Sequence, residues 1–547
     1  MSVIDSRVKK RKFWKSFKNI IFGKNIFQVF FRIYLLTILV GAIFLYTPLT
    51  HSDWNIKIMG YEREYTFWDA LFLSCSSFSN TGLSMLTISS FFNIFGQIVL
   101  LFLIQVGGIG LVSLAFVLWN LFKKEDEVKM NQIIMLQNER GTTKLNSSFK
   151  SIRFSVYLII TVEIIFGFLM SFWLCWFPVH AQSELSIVGK NVTITYDQDA
   201  LIEANGNYGL ALWQGMFCSI SAINNAGFDI FESNCSLAAF RNDWNIIFQL
   251  FTMIEIIIGG IGYPLIFDYY EKIRHKRKGL KYNTSLFTKV ALCSYLGVLL
   301  IGLAISYTYE FCVPGNETLV SLPNEFVLEN GQTIKVFGEH PTFNKCWIIF
   351  YNTVSTRSAG FSTIDQHVFT KGTMLNYIVM MFVGGSPSST AGGIRTTTLM
   401  VIIAAFISTF KGRSHTTLFK KTIPNETVKN SFLAFILGLF IVILVSIIIY
   451  YLPTSNPVEQ PIYKQDWDLV SVLYEVSSAF GTVGLSYGVT SLTSSYGLVA
   501  IIVCMFISCI LPFLGYMRNF LSSSDTLYVW HWDMRLNRSF GLYHEFY

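Results

Sequence analysis

Charged residues are scarce in this chain: Lys, Arg, Asp and Glu make up 14% of 547 residues, against 52% hydrophobic ones. So little charge excludes an ordinary soluble domain, and a mean hydropathy of +0.47 points the same way. The nine cysteines never fall in Cys-x-x-Cys spacing, which removes a zinc site or a redox pair. Most lie in apolar stretches as small packing residues. Cys312 and Cys346 share one stretch outside the spans and form a candidate disulfide. There is no Gly-x-x-x-x-Gly-Lys run, no Gly-x-Ser-x-Gly elbow and no metal-ligand cluster, so nothing supports catalysis. The basic start, with Lys9, Lys10, Arg11, Lys12, Lys15 and Lys18, lacks an apolar core followed by a cleavage site. It reads as a cytoplasmic arm, not a signal peptide.

What the chain does have is apolar length. Long apolar segments run near Val29 to Leu49, Phe92 to Phe122, Phe154 to Phe177, Trp244 to Phe267, Phe287 to Tyr309, Met374 to Phe410, Ser431 to Leu452 and Tyr496 to Gly515. Each meets the roughly 20 residues a bilayer requires. The net charge of +7 is concentrated in alternate loops: Lys123, Lys124, Lys129, Arg140 and Lys144; Lys272, Arg274, Lys276, Arg277 and Lys278; Lys411, Arg413, Lys420 and Lys421. That alternation is positive-inside topology in contact with lipid, with both termini cytoplasmic, and argues against nucleic acid as partner. The expected location is the plasma membrane.

Four times a short amphipathic run ends in a glycine flanked by a small or polar residue and a bulky apolar one. The copies are Asn80-Thr81-Gly82-Leu83, Asn225-Ala226-Gly227-Phe228, Ser358-Ala359-Gly360-Phe361 and Thr482-Val483-Gly484-Leu485, spaced by roughly 125 to 145 residues. The runs before them (Thr66 to Ser84, Ala211 to Phe228, Lys345 to Ser362, Asp468 to Ser486) are too short and polar to cross, and their first parts have helical periodicity. Each reads as a re-entrant pore helix followed by an extended stretch, which survives at membrane depth only in protein or beside water. The expected fold is therefore an all-α polytopic membrane protein. It has four tandem span, pore-helix, filter, span repeats with fourfold pseudosymmetry around a central pore. Glycine lets such a turn direct carbonyls at an axis, and a carbonyl ring that replaces a hydration shell selects a potassium-sized cation. The resulting division is a basic arm (1–28), repeat 1 (29–122), a cytoplasmic loop (123–153), repeat 2 (154–270), a basic loop (271–286), repeat 3 (287–410), a loop (411–430), repeat 4 (431–517) and a cytoplasmic tail (518–547).

The second span of repeat 3 breaks the pattern. It contains Gly384, Gly385, Ser386, Pro387, Ser388, Ser389, Thr390, Ala391, Gly392 and Gly393, and Arg395 follows. Proline and paired glycines open a helix, so a small-residue loop is expected beneath the filter as a gate, with Arg395 holding it shut. A static kink is the bland alternative. The pairs Gly107-Gly108 and Gly259-Gly260 read as close helix packing rather than hinges. Glu163, Glu255 and Glu475 are costly at membrane depth unless paired or wet. Glu475 is expected to brace its filter by hydrogen bonds, Glu255 to pair structurally, Arg357 to brace or sit outside the third filter strand, and Asp69 to meet a helix dipole.

These stretches resemble the Trk/Ktr/HKT superfamily of potassium transporters, and most closely the Ktr-type bacterial membrane subunit. The resemblance runs from about Phe31 to Pro512. It includes Gly96-Gln97, Gln105-Val106-Gly107-Gly108-Ile109-Gly110, Ser221 to Phe228, Gly259-Gly260-Ile261-Gly262-Tyr263-Pro264, Gly384 to Pro387, Thr390 to Thr398 and Glu475 to Ser486. It implies potassium uptake driven by membrane potential, commonly sodium-dependent in Ktr types, with Gly82, Gly227, Gly360 and Gly484 as filter glycines. It also implies gating by Gly384 to Arg395 and a homodimer on a cytosolic ring of nucleotide-binding regulatory subunits. The nucleotide would sit on the partner. No cofactor is expected on this chain beyond K+, or Na+, as permeant or activating ion. Trk-type relatives carry two extra N-terminal spans, and the short arm here favours the Ktr type. One departure stands out: where the family has an arginine in the last span, this chain has Cys509 in Ser508-Cys509-Ile510-Leu511-Pro512. Arg518, about 13 Å further along a helix, is a poor substitute. The rivals are an obligate Na+ or H+ symporter with alternating access, which would need midplane ionisable groups, and an intramembrane enzyme or non-conducting scaffold.

Overall fold

A computed structural model of the protein describes residues 26–52, 55–58, 61–110, 145–177, 185–188, 191–194, 204–231, 236–240, 243–313, 318–327, 333–387, 389–419, 421–452 and 468–521. The basic arm to residue 25, the loop carrying Lys123, Lys124, Lys129, Arg140 and Lys144, and the tail from 522 lie outside the described residues, as do Ser388 and Lys420.

Helices follow the apolar segments. In the first quarter of the chain they are α1 (Ile26–Tyr46), α2 (Phe67–Phe78) and α3 (Ile94–Ile109). Then come α4 (Leu145–Trp176), α5 (Tyr208–Ile223), α6 (Ile246–Ile261) and α7 (Tyr263–Arg277). The third set is α8 (Leu286–Cys312), α9 (Pro341–Ser355), α10 (Lys371–Phe382) and α11 (Thr396–Phe410). The last is α12 (Asn425–Tyr451), α13 (Leu469–Gly481) and α14 (Ser495–Leu521). Among the described residues four helical stretches are long and apolar enough to cross a membrane: Lys150–Trp176, Asp243–Ile261, Leu286–Cys312 and Asn425–Tyr451. Leu433, Ile436, Phe440 and Ile443 along α12 are exposed, as a lipid-facing stripe requires.

The short helices α2 and α5 start on residues that satisfy free N–H groups. The Thr66 amide and hydroxyl both donate to Asp69, at 2.8 and 2.7 Å, so Asp69 caps the first turn of α2 as well as meeting its dipole. Asn207 accepts from the Leu210 amide at 3.3 Å. Pro341 opens α9, where its missing N–H costs nothing.

Three expectations need correction. The chain is not wholly helical, because four two-stranded antiparallel hairpins stand between the helices: β1 (Asn55–Ile58) with β2 (Tyr61–Glu64), β3 (Leu185–Val188) with β4 (Asn191–Ile194), β5 (Glu325–Val327) with β6 (Thr333–Lys335), and β7 (Thr417–Leu418) with β8 (Lys421–Thr422). In the first two pairs, strand-forming runs are separated by two residues that include a glycine, which is hairpin spacing. The span Trp244 to Phe267 is not one helix. It breaks between α6 and α7 at Gly262, whose φ of +94° only glycine adopts readily, and α3 likewise ends on Gly110 at φ +84°. Cys312 and Cys346 are unbonded.

Each short helix packs on the first span of its own segment: α2 on α1, α5 on α4, α9 on α8, α13 on α12. Each following span also packs on the short helix of the next segment: α3 on α5, α6 on α9, α10 on α13. Finally α14 packs on α2, so the order returns to its start. This packing brings the C-terminal ends of the short helices to one place.

Candidate functional site

The four glycine turns follow those helix ends. Asn80, Asn225, Ser358 and Thr482 have φ of +53°, +56°, +72° and +47°, and the glycines two residues later, Gly82, Gly227, Gly360 and Gly484, have +83°, +71°, +78° and +95°. Left-handed backbone costs a non-glycine residue roughly 1–2 kcal/mol, least for asparagine. Strain repeated at four equivalent places marks a backbone shape held by its surroundings. The helix ends are closed by short reverse bonds: Thr81, Ala226 and Val483 amides reach back five residues to the carbonyls of Ser76, Ser221 and Ser478 at 2.8 Å, while Ala359 reaches back four, to Ser355, at 3.0 Å.

The turns touch one another in sequence. A methyl group added to Gly82 would strike the carbonyl oxygen of Ala226, and one on Gly227 would lie 2.6 Å from that of Ala359. On Gly360 it would strike the carbonyl of Val483, and on Gly484 that of Thr81. Each glycine thus faces the carbonyl of the residue preceding the next glycine, and the fourth faces the first. Real Cβ contacts do not come inside 3.0 Å, so these positions admit glycine alone. Leu83, Phe228, Phe361 and Leu485 are buried behind them and anchor the turns in the core.

Side chains brace this arrangement. Glu475 of α13 accepts from the Ser486 hydroxyl and the Tyr487 amide, both at 2.8 Å, from the Thr490 amide at 3.2 Å and from the Thr490 hydroxyl. It is fully buried and holds the chain that leaves the fourth turn, as its position on a pore helix implied. Around the second turn, Asn224 donates to Gln105 at 2.9 Å and to Glu163 at 3.1 Å, and Gln105 donates to the other Glu163 oxygen at 3.1 Å. Ser219 donates to Glu255 at 2.5 Å, and Asn80 donates to the Asn224 carbonyl at 3.0 Å, tying turn to turn. Sequence reasoning missed Gln105, Ser219 and Asn224 because a single amide or hydroxyl on an apolar helix gives no periodic signal. The glycine pairs leave no room for side chains. Gly107 lies on the Phe78 carbonyl, Gly108 on Asn224 and Gly259 on the Ile223 carbonyl.

The expected break in the third segment is present. Residues 383–395 leave the helix between α10 and α11, and their backbone is tied off by Ser386 N–H to the Gly260 carbonyl, Ile394 N–H to Phe382 and Thr396 N–H to Gly385, each 3.1 Å. The loop lies against the turns. Gly392 N–H donates to Ser358 Oγ at 3.2 Å, and Ser358 Oγ in turn donates to the Thr482 carbonyl at 2.7 Å. A side chain on Gly392 would strike Thr482, and one on Gly262 would lie 2.8 Å from the Pro387 carbonyl. Gly393 N–H donates to Ser508 of α14 at 3.3 Å, and Ser508 donates to the Phe480 carbonyl. Arg395 donates to the carbonyls of Ala391 and Ser386, inside the loop it follows. Arg357 is fully buried instead of lying outside its turn, and donates to the carbonyls of Met380, Val383 and Gly384. Cys509 lies within electrostatic range of Arg395.

Comparison with known proteins shows the family to which the chain belongs. A family model described as TrkH, cation transport protein, matches residues 42–522. The chain is 37% identical over 506 residues to an uncharacterized cation transporter of Mycoplasma genitalium, covering 86% of this chain and 89% of that one. It is 29% identical over 480 residues to the Ktr system potassium uptake protein D of Bacillus subtilis, covering 87% and 88%. The crystal structure of the potassium transporter TrkH from Vibrio parahaemolyticus has a similar fold, with a TM-score of 0.57 at 13% identity over 92% of this chain and 86% of that chain. The chain therefore belongs to the TrkH family of cation transport proteins, within the Trk/Ktr superfamily: a membrane protein that moves cations and is not an enzyme.

Proposed function

We propose that the chain is a gated potassium-uptake pore with fourfold pseudosymmetry, in which Asn80 to Leu83, Asn225 to Phe228, Ser358 to Phe361 and Thr482 to Leu485 form the selectivity filter. The observation that carries this reading is the closed order of contacts in which each filter glycine meets the carbonyl preceding the next. Backbone oxygens packed so closely around one place, with no side chain admitted, suit a dehydrated monovalent ion. The loop Gly384 to Arg395 is the gate, since it is tied to Ser358, Thr482 and Ser508 directly beside the turns. Inward movement of one charge through 100 mV releases about 2.3 kcal/mol, which drives accumulation without ATP hydrolysis on this chain. The reading includes the plasma membrane and cytoplasmic termini, from the alternation of basic loops, and a homodimer, sodium dependence and a cytosolic nucleotide-binding ring, carried over from the Ktr-type resemblance.

Rubidium uptake into potassium-starved cells, by wild type and Gly360→Ser at matched membrane abundance, tests the filter. The serine variant is expected to lose most of its uptake, and equal uptake by both would overturn the assignment. A symporter reading has one observation in its favour: Glu255 is fully buried and its Oε2 has no hydrogen-bond partner among the described residues, as a proton-carrying group would be. A current that reverses at the potassium equilibrium potential whatever the sodium or proton gradient favours the pore. A reversal potential that moves with either gradient favours symport.

A further inference from the structure

Arg357 is the largest side chain with essentially no exposure, and no carboxylate among the described residues pairs with it. A buried guanidinium is tolerated only when its donors are satisfied and its charge meets compensating dipoles. Here those dipoles are carbonyls in the last turn of α10 and just past its end, which take the two Nη groups: Met380 at 3.3 Å, Val383, and Gly384 at 2.5 Å, while Nε has no partner among the described residues. The C-terminal end of a helix carries partial negative charge, so a cation belongs there. The Tyr295 ring of α8 lies under the guanidinium, 5.1 Å from its carbon, as a planar cation favours. The residue after Arg357 is Ser358, the first left-handed residue of the third turn, and the carbonyl it grips at Gly384 is where the loop begins.

We infer that Arg357 is a positioning residue that makes the third filter turn and the start of the gating loop one mechanical unit. The guanidinium fork holds Val383 and Gly384 at a fixed distance from Ser358, and Ser358 Oγ receives Gly392 N–H from the other limb of the loop. The loop therefore cannot leave the turn without either breaking these bonds or carrying the turn with it. Gate movement and ion discrimination are then coupled, and a change at Arg357 alters both. Lysine at this position supplies one point charge in place of a fork and cannot hold two carbonyls in register. This inference rests on the pore reading above.

The test uses Arg357→Lys, Arg357→Gln and, as an independent perturbation of the loop, Arg395→Gln, all in the full chain in potassium-starved cells. Rubidium uptake and its inhibition by sodium are measured at matched membrane abundance. Loss of one or two hydrogen bonds corresponds to roughly a three- to thirtyfold change in the equilibrium they hold. Arg357→Lys is expected to change uptake and to lower discrimination against sodium, each by about that factor. Arg395→Gln is expected to raise uptake with a smaller loss of discrimination. Should Arg357→Gln fail to accumulate, the lysine variant decides. An Arg357→Lys protein with altered uptake but wild-type discrimination, or with neither altered, overturns the coupling while an effect of Arg395→Gln leaves the gate standing. If neither arginine affects uptake, the gate reading falls and the coupling with it.

Discussion

Replacing Glu475 by glutamine should loosen the fourth glycine turn, the fourth part of the proposed filter, without disturbing the helix that carries it. The carboxylate receives four donors: one oxygen takes the Ser486 and Thr490 hydroxyls and the Thr490 amide, and the other takes the Tyr487 amide. Two of these are backbone N–H groups, one on each oxygen, which can only donate, so both oxygens must accept. Glutamine has one oxygen and one NH2. With its oxygen on the three-donor side, its NH2 confronts the Tyr487 N–H, two donors face to face in a buried place. A hydrogen bond to a charged group contributes about 1.5–3 kcal/mol and an orphaned buried N–H costs about 1–3, so the combined penalty is about 2.5–6 kcal/mol. That weakens the hold on residues 486–490 by at least roughly fiftyfold, and the turn at Gly484 moves with them. The assay is rubidium uptake against increasing sodium, with thermal denaturation of the purified protein in detergent. Discrimination against sodium should drop by at least about tenfold and the melting temperature should fall. Wild-type discrimination together with a wild-type melting temperature would refute the bracing argument, because a buried four-bond acceptor cannot lose its charge at no cost.

Two further outcomes follow from the same structure. Gly262→Ala puts a side chain at φ +94°, 2.8 Å from the Pro387 carbonyl. Backbone strain of about 1–2 kcal/mol plus the push on the loop should raise rubidium uptake several-fold, and an unchanged uptake would dissociate the α6–α7 break from the proposed gate. Cys509→Arg introduces the charge that the family resemblance leads one to expect at this place. A unit charge acts on a cation ~10 Å away by about 1.7 kcal/mol at an effective dielectric of ~20, so potassium flux should fall by roughly tenfold, which single-channel or liposome flux records would show. Flux equal to wild type would mean that the cysteine does not ease permeation.

Much of the candidate site was legible because glycine and proline carry backbone information that needs no partner. Gly82, Gly227, Gly360 and Gly484 each follow a helical run, and Gly384 to Gly393 interrupts one, so turns and a break could be placed from local chemistry. Glu475 could be assigned a bracing role for a similar reason, since a carboxylate on an apolar helix must find donors. Gly262 was harder. Three glycines lie within Gly259 to Gly262, and local sequence does not say which one bends the chain, whereas packing on Ile223 and Pro387 does.

Local sequence therefore determined the apolar helices, the four glycine turns and the broken span, all of which follow from hydrophobic length and from what each residue permits at its own φ and ψ. Tertiary structure alone decided that α14 returns to α2, so that the last turn meets the first. It also decided that Arg357 points inward to the end of α10 and that Asn224 joins Gln105 to Glu163. The physical reason is that hydrogen bonds and carbonyl contacts between residues tens to hundreds of positions apart depend on how spans pack, and the same apolar stripe can pack on lipid or on any neighbour.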